Sequence, residues 1–169
     1  MQTDKVLKKV HKEKALVLSS ALVTMLLLGV GEYFLYLMIK GEFPYVLGIG
    51  FLAVFVATLV ISYGYAPMSV ELSDQSLTLY RGIGKKVFKF SEIKNVEVYI
   101  SNGAVVRTCG VGGLFGFTGR YYTKRIGNYF SYVGDYSQTF YIERKDGKKY
   151  VLSCDDYDFI VSFIKKNLS

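Results

Sequence analysis

The chain has 169 residues, a formal net charge of +7 and an apolar fraction of 51%. One histidine and two cysteines leave little material for metal centres, Ser-His or Cys-His nucleophiles, or imidazole acid-base catalysis. The apolar residues are concentrated in two long runs, and the chain beyond them is long enough for one domain of about a hundred residues.

Residues 1–14 form a basic segment containing Lys5, Lys8, Lys9, Lys12, Lys14 and the single histidine, His11. It is expected either to lie on lipid headgroups or simply to set the orientation of the run that follows. The apolar runs follow at 15–39 and 45–66, each long enough to cross a hydrocarbon core of ~30 Å at ~1.5 Å per residue. Together they read as a transmembrane helical hairpin, with membrane lipids as its partners. Only Lys40 lies between the runs, whereas fifteen Lys/Arg follow the second. The positive-inside rule therefore predicts a multi-pass protein of the cytoplasmic (inner) membrane with both termini in the cytoplasm. A cleavable signal ending near Gly29-Val30-Gly31 is disfavoured by the apolar continuation to Ile39 and by the second run. Cys109 and Cys154 are expected as free thiols in a reducing compartment.

Glu32 lies among Tyr33, Phe34 and Tyr36, as expected of a carboxylate at the outer interface rather than an ion site. Gly50, Ala53, Ala57 and Gly64 form a stripe of small residues on the second span, and Ser20, Thr24 and Gly31 form one on the first. Such stripes let membrane helices approach closely, here within the hairpin or alternatively between copies.

From Pro67 to Ser169 the apolar period changes to alternation, which predicts strands. Val70/Leu72, Leu77/Leu79, Phe88/Phe90, Val96/Val98, Phe140/Ile142 and Tyr150/Leu152 each share a face. Ser73–Ser76 and Gly82–Lys85 mark turns, Ser91–Lys94 a short helical turn, and Asp146-Gly147 a two-residue hairpin with both central residues at positive φ. An amphipathic helix is predicted over 155–167. Ser153 is its expected N-cap, Asp155, Asp156 and Asp158 lie in its first turn, Phe159, Ile160, Phe163 and Ile164 form its apolar face, and Lys165 and Lys166 lie in its last turn.

Gly113-Leu-Phe-Gly-Phe-Thr-Gly119-Arg-Tyr, then Gly127 to Gly134, then Asp146-Gly147-Lys148, Tyr150 and Leu152-Ser153 before an acidic helix start, resembles the bacterial pleckstrin-homology-like domain family. Members with two membrane helices ahead of the domain share this layout. The resemblance implies a transmembrane helical hairpin followed by a mainly-β PH-like domain. That domain has about seven strands in a partly open barrel or sandwich, plus one C-terminal α-helix. It implies no catalytic residues and no cofactor. Arg81, Lys85, Lys86 and Lys89 occupy the general region where eukaryotic pleckstrin-homology domains bind lipid headgroups, so they are candidate membrane-surface contacts.

The glycine cluster Gly110, Gly112, Gly113, Gly116 and Gly119 leads into an aromatic strand without a Lys-Ser/Thr ending. It reads as a bend or bulge rather than a phosphate loop. Phe115, Phe117, Tyr121 and Tyr122 are candidate interaction aromatics. Base stacking on them is disfavoured, since alternation sends half of the region's aromatics inward. No catalytic or metal constellation is visible, and neither nucleic acid nor a small-molecule substrate is expected. The sequence thus predicts a membrane-anchored, non-enzymatic binding or scaffolding module, first for a protein partner or a second copy. The alternatives are anionic headgroup binding or membrane-stress sensing, and an accessory role in a transport complex.

Overall fold

A computed structural model describes residues 6–100 and 104–168. Strand β1 (Val6–Lys9) comes first, then helices α1 (Lys14–Ile39) and α2 (Tyr45–Tyr65). Strands β2 (Pro67–Leu72), β3 (Ser76–Arg81) and β4 (Lys85–Lys89) follow, and a 3-10 turn over Phe90–Glu92 leads into β5 (Ile93–Val98). Strands β6 (Val106–Gly112), β7 (Phe117–Thr123), β8 (Gly127–Val133), β9 (Thr139–Arg144) and β10 (Lys149–Ser153) precede helix α3 (Tyr157–Leu168).

The strands make two sheets, ordered β1-β2-β3-β4 and β5-β9-β10-β8-β7-β6. Neither sheet closes on itself, and the result is a sandwich. Every pairing is antiparallel except β8 with β10. Leu77 and Leu79 of β3, Phe88 of β4, Ile142 of β9, Leu152 of β10 and Ile160 of α3 are almost wholly buried in one core between the sheets and the helix. Central strands are buried on both faces. Tyr141 and Val151, the residues alternate to Ile142 and Leu152, enter a second, tyrosine-rich cluster with Tyr99, Tyr121 and Tyr129.

Among the described residues, the about seven strands of the sequence reading become nine after residue 66, plus β1 before the hairpin. β6 and β8 carry glycine, arginine and asparagine among their apolar residues, so they lack clean alternation. β1 is a four-residue strand with Val6 and Lys8 half-buried and Leu7 and Lys9 exposed, too short for a period to register. It pairs with β2, Val6 opposite Leu72 and Lys9 opposite Ser69. The Val10 N–H donates to the Met68 carbonyl at 3.0 Å, the Asp155 N–H to Lys9 at 2.9 Å and the Glu13 N–H to Gly134 at 3.2 Å. Lys8 is ion-paired with Asp156. Residues 6–9 are therefore part of the sandwich and not a separate segment; Lys5 falls outside the described residues. Topologically the helical hairpin is an insertion between two neighbouring strands of one sheet.

Two local expectations change. The β9–β10 connection has positive φ only at Gly147. The Gly147 N–H donates to Arg144 and the Arg144 N–H to Lys148, a three-residue loop with glycine in the left-handed position rather than a two-residue turn. Ser153 does not cap α3. It ends β10, and its hydroxyl accepts the Gly134 N–H at 2.8 Å, so the helix begins at Tyr157. The buried face of α3 is Ile160, Val161 and Ile164, with Phe159 about half exposed.

α1 and α2 are long and apolar enough to cross a membrane by length and composition. Their apolar side chains, among them Leu18, Leu22, Met25, Val46, Leu47 and Val54, point outward, unlike those of a core helix in a water-soluble domain.

Candidate functional site

Along β3 the inward row is Leu77, Leu79, Arg81, and along β4 it is Phe88, Lys86; Lys86 is opposite Leu79 across the pair. On β10 the row Leu152, Tyr150 is continued by Lys148 just before the strand. At one end of the sandwich, then, inner rows that are apolar elsewhere finish in cations. They line a cleft of ≈ 720 Å³ between the two sheets. Arg120 of β7, opposite Phe130, and Lys149 complete the charged lining, while Tyr65, Tyr132 and Tyr150 supply aromatic walls. Among the described residues the lining contains five cations and no carboxylate.

The cations differ in how they are held. The Arg81 guanidinium lies over the Tyr65 ring with Cζ 5.3 Å from its centroid, and its Nε–H is buried without a protein acceptor. Lys86 Nζ lies 4.5 Å from the Tyr150 centroid. Lys148 pairs with Asp146 at 3.1 Å, and Lys149 donates to the Ile126 carbonyl at 2.9 Å. Among the described residues Arg81, Lys86 and Arg120 form no ion pair. Burial raises the pKa of the Tyr132 hydroxyl, against the opposing pull of the adjacent Arg81 charge, so this wall stays a neutral phenol.

Of the four basic residues predicted as surface contacts, Arg81 and Lys86 enter the cleft. Lys85 and Lys89 point outward from the same hairpin and are exposed. Arg120, Lys148 and Lys149 were missed as partners of Arg81, because the parallel β8–β10 pairing and the β7–β8 hairpin bring them in from elsewhere in the chain.

The cleft adjoins the C-terminal end of α2. The Gly82 N–H donates to the Ala66 carbonyl at 2.9 Å and the Ile83 N–H to Gly64 at 3.1 Å, so the β3–β4 turn is bonded to the last turn of the helix. A Cβ on Gly82 would collide with the Tyr63 carbonyl, which is why this contact can be so close. On the other side the β6–β7 turn reaches both helices. The Phe115 N–H donates to Ser20 Oγ at 3.0 Å, the single Ser20 hydroxyl proton is shared between the Leu16 carbonyl at 2.7 Å and the Gly113 carbonyl at 3.0 Å, and Phe115 meets Tyr63 edge to face at 5.9 Å. Beyond this turn Gly110 and Gly119 face each other at positive φ, and a Cβ on either would strike the opposite backbone. The glycine cluster thus permits a close strand pair at Gly110 and Gly119 and a helix-docking turn, while the bulge of this pair lies outside it, between Arg107 and Cys109.

The other candidates are dispersed. Phe115 is packed on the hairpin, Phe117 against Tyr136 at 5.0 Å, and Tyr121 is buried and stacked on Tyr129 at 6.0 Å. Only Tyr122 of the four remains well exposed. Burial raises the pKa of Tyr121, Tyr129, Tyr136 and Tyr141, as expected of neutral phenols in a packed cluster. On α2, Gly50, Ala53 and Ala57 are exposed on the side away from α1, and Gly64 packs against Ile83 of the domain. The hairpin is closed instead by contacts such as Gly48 with Met38, Gly31 with Leu52, and Phe34 with Phe43 and Phe51. Glu32 is exposed on α1. Cys109 is an exposed free thiol, and burial pushes the Cys154 thiol up to about 12. Among the described residues no three His, Cys, Asp or Glu side chains converge as a metal site would need.

The domain is thus a two-sheet sandwich closed by a C-terminal helix and bearing a charged cleft. The family model described as "Bacterial PH domain" matches residues 68–168, and the chain belongs to that family. No curated protein and no solved structure gives a significant match.

Proposed function

We propose that this protein is a membrane-anchored, non-enzymatic binding module whose hairpin holds the domain rigidly against the bilayer surface with the basic cleft as its ligand site. The observation that carries this reading is the linker-free attachment of the domain to the helices. The backbone bonds Gly82–Ala66 and Ile83–Gly64 and the Ser20–Phe115 contact fix the cleft beside the inner end of α2. Because β1 and β2 pair directly, a hairpin that crosses the membrane leaves residues 6–9 and the domain on the same side. The charge asymmetry of the flanks makes that side the cytoplasm. A protein partner bound through aromatics is less well supported, since three of the four candidates are engaged internally.

Cys109 offers the test, because Cys154 is buried and does not compete. In native membranes the chain resists alkaline carbonate extraction. A membrane-impermeant maleimide labels Cys109 in inverted vesicles and not in sealed right-side-out ones. Extraction by carbonate, or labelling from the outer face, contradicts the reading.

A second reading rests on the outward stripe of Gly50, Ala53 and Ala57, which suits close approach of another membrane helix. Self-association that is abolished by Ala53→Leu and Ala57→Leu in detergent would support it.

A further inference from the structure

We infer that the outer face of the six-stranded sheet carries a second ligand site, a tyrosine-walled pocket that takes an uncharged, single-ring aromatic molecule bearing a carbonyl group. The basic cleft lies on the other face of the same sheet, so the two sites are separate. Three observations set the chemistry. First, the strand register builds a dent. Phe117 of β7 is opposite Val133 of β8, Gly119 is opposite Ser131, and Tyr121 is opposite Tyr129. The middle row has no side chain larger than a hydroxymethyl group, while Phe117 stands on one side of it and Tyr121 on the other. Tyr136, from the β8–β9 connection, packs on Phe117 with centroids 5.0 Å apart, and Tyr121 is stacked on Tyr129. Val105, Phe117, Tyr121 and Tyr136 line a cavity of ≈ 370 Å³. Aromatic walls over a small-residue floor suit a flat ring.

Second, hydroxyl protons around the pocket have no acceptor. Tyr121, Tyr129 and Ser131 are 4%, 3% and 0% exposed, and no protein group hydrogen-bonds their hydroxyls. Their neighbours do not supply what is missing. Arg107, beside Tyr121, has only protons to give. Tyr99, beside Tyr129, donates to Thr123 Oγ1 at 3.5 Å. Tyr136 stands next to Ser131 without closing to bonding geometry. Folded proteins leave few buried donors unpaired. The complement of these three is an acceptor oxygen, and a carbonyl offers one with two lone pairs.

Third, the surroundings favour a neutral ligand. Among the described residues no charged side chain lines the pocket. Burial raises the pKa of Tyr121, Tyr129 and Tyr136, so negative charge is disfavoured there. A carboxylate would shed its water with no buried cation to meet it, since Arg107 is exposed.

The test uses the full chain in a neutral detergent, titrated with acetophenone, with α-methylstyrene, in which a methylene replaces the carbonyl oxygen, and with benzoate. Binding is read by isothermal titration and by saturation-transfer NMR of the probe; partition into micelles does not saturate and is common to every variant. Saturable binding of acetophenone is expected, about tenfold or more tighter than that of the other two. Tyr121→Phe and Ser131→Ala each remove one hydroxyl and should bring acetophenone toward α-methylstyrene. Neither should lower the unfolding temperature, because the lost hydroxyl has no partner in the protein. Ser131→Leu fills the floor and should abolish binding, whereas the Arg81→Gln/Lys86→Gln double variant changes only the basic cleft and should bind acetophenone like the parent. α-Methylstyrene bound as tightly would show an apolar surface alone and overturn the carbonyl assignment. Benzoate bound as tightly would make this an anion site and overturn the neutral class. No saturable binding of acetophenone, or binding unchanged in both hydroxyl variants, would overturn the site. If Ser131→Leu does not fold, Tyr121→Phe and Ser131→Ala decide the matter.

Discussion

Arg81, Lys85, Lys86 and Lys89 are four cations within nine positions of one hairpin, and strand alternation sends two into the sandwich and two to solvent. Their charge is equal, but their surroundings are not. Arg81 and Lys86 sit against tyrosine rings in a cleft, where attraction to an anion is screened less than on the open surface. Cys154 shows the same dependence on surroundings. Both thiols are free, yet only Cys109 is exposed, and burial lifts Cys154 to about 12 from an ordinary value of 9.0. The folded state therefore holds this proton more tightly than the unfolded chain does. The stabilisation is complete below pH ~9 and is lost as pH rises toward about 12. Cys154→Ala should flatten the alkaline limb of the stability curve at a cost of about 1 kcal/mol near neutral pH. Chemical denaturation of parent and variant across pH 8–11 measures both, and identical limbs would exclude the thiol as the cause.

At the level of elements, β1 has the largest consequence for its size. Its four residues cover the edge of β2, and the chain following it brings the buried Val10 to the core. A fragment spanning only residues 67–169 leaves the β2 edge unpaired above Val70 and Leu72, an invitation to edge-to-edge association. Such a fragment is expected to lose about 2–4 kcal/mol and to self-associate. A version in which residues 6–10 are joined to residue 67 by a short glycine-serine linker should be monomeric. Size-exclusion chromatography with denaturant titration compares the two, and a stable monomeric 67–169 fragment would show β1 to be dispensable. The β3–β4 and β6–β7 turns have an analogous role for the hairpin, since each bonds the domain to a helix end. Gly82 and Gly116 in these turns serve close approach, since a Cβ at either would meet Tyr63 or Pro67.

For the whole molecule, the orientation of the domain is set by bonds rather than by a flexible tether. Inserting Gly-Ser-Gly-Ser between Ala66 and Pro67 should leave the chain membrane-embedded and the sandwich folded. The same insertion should raise hydrogen exchange at the Gly82 and Ile83 amides by about tenfold or more. Unchanged protection of those amides would mean that the docking does not depend on the direct junction. The two apolar helices, the alternating strands around Leu77, Phe88, Ile142 and Leu152, and the acidic-to-basic course of α3 could all be read in the sequence, because each is a periodicity within one short stretch. β1, the union of Arg81 and Lys86 with Arg120, Lys148 and Lys149, and the outward turn of Gly50, Ala53 and Ala57 could not. They depend on which distant segments pair, and the free energy that selects those pairings comes from burying a shared core, a quantity that no local pattern of residues records.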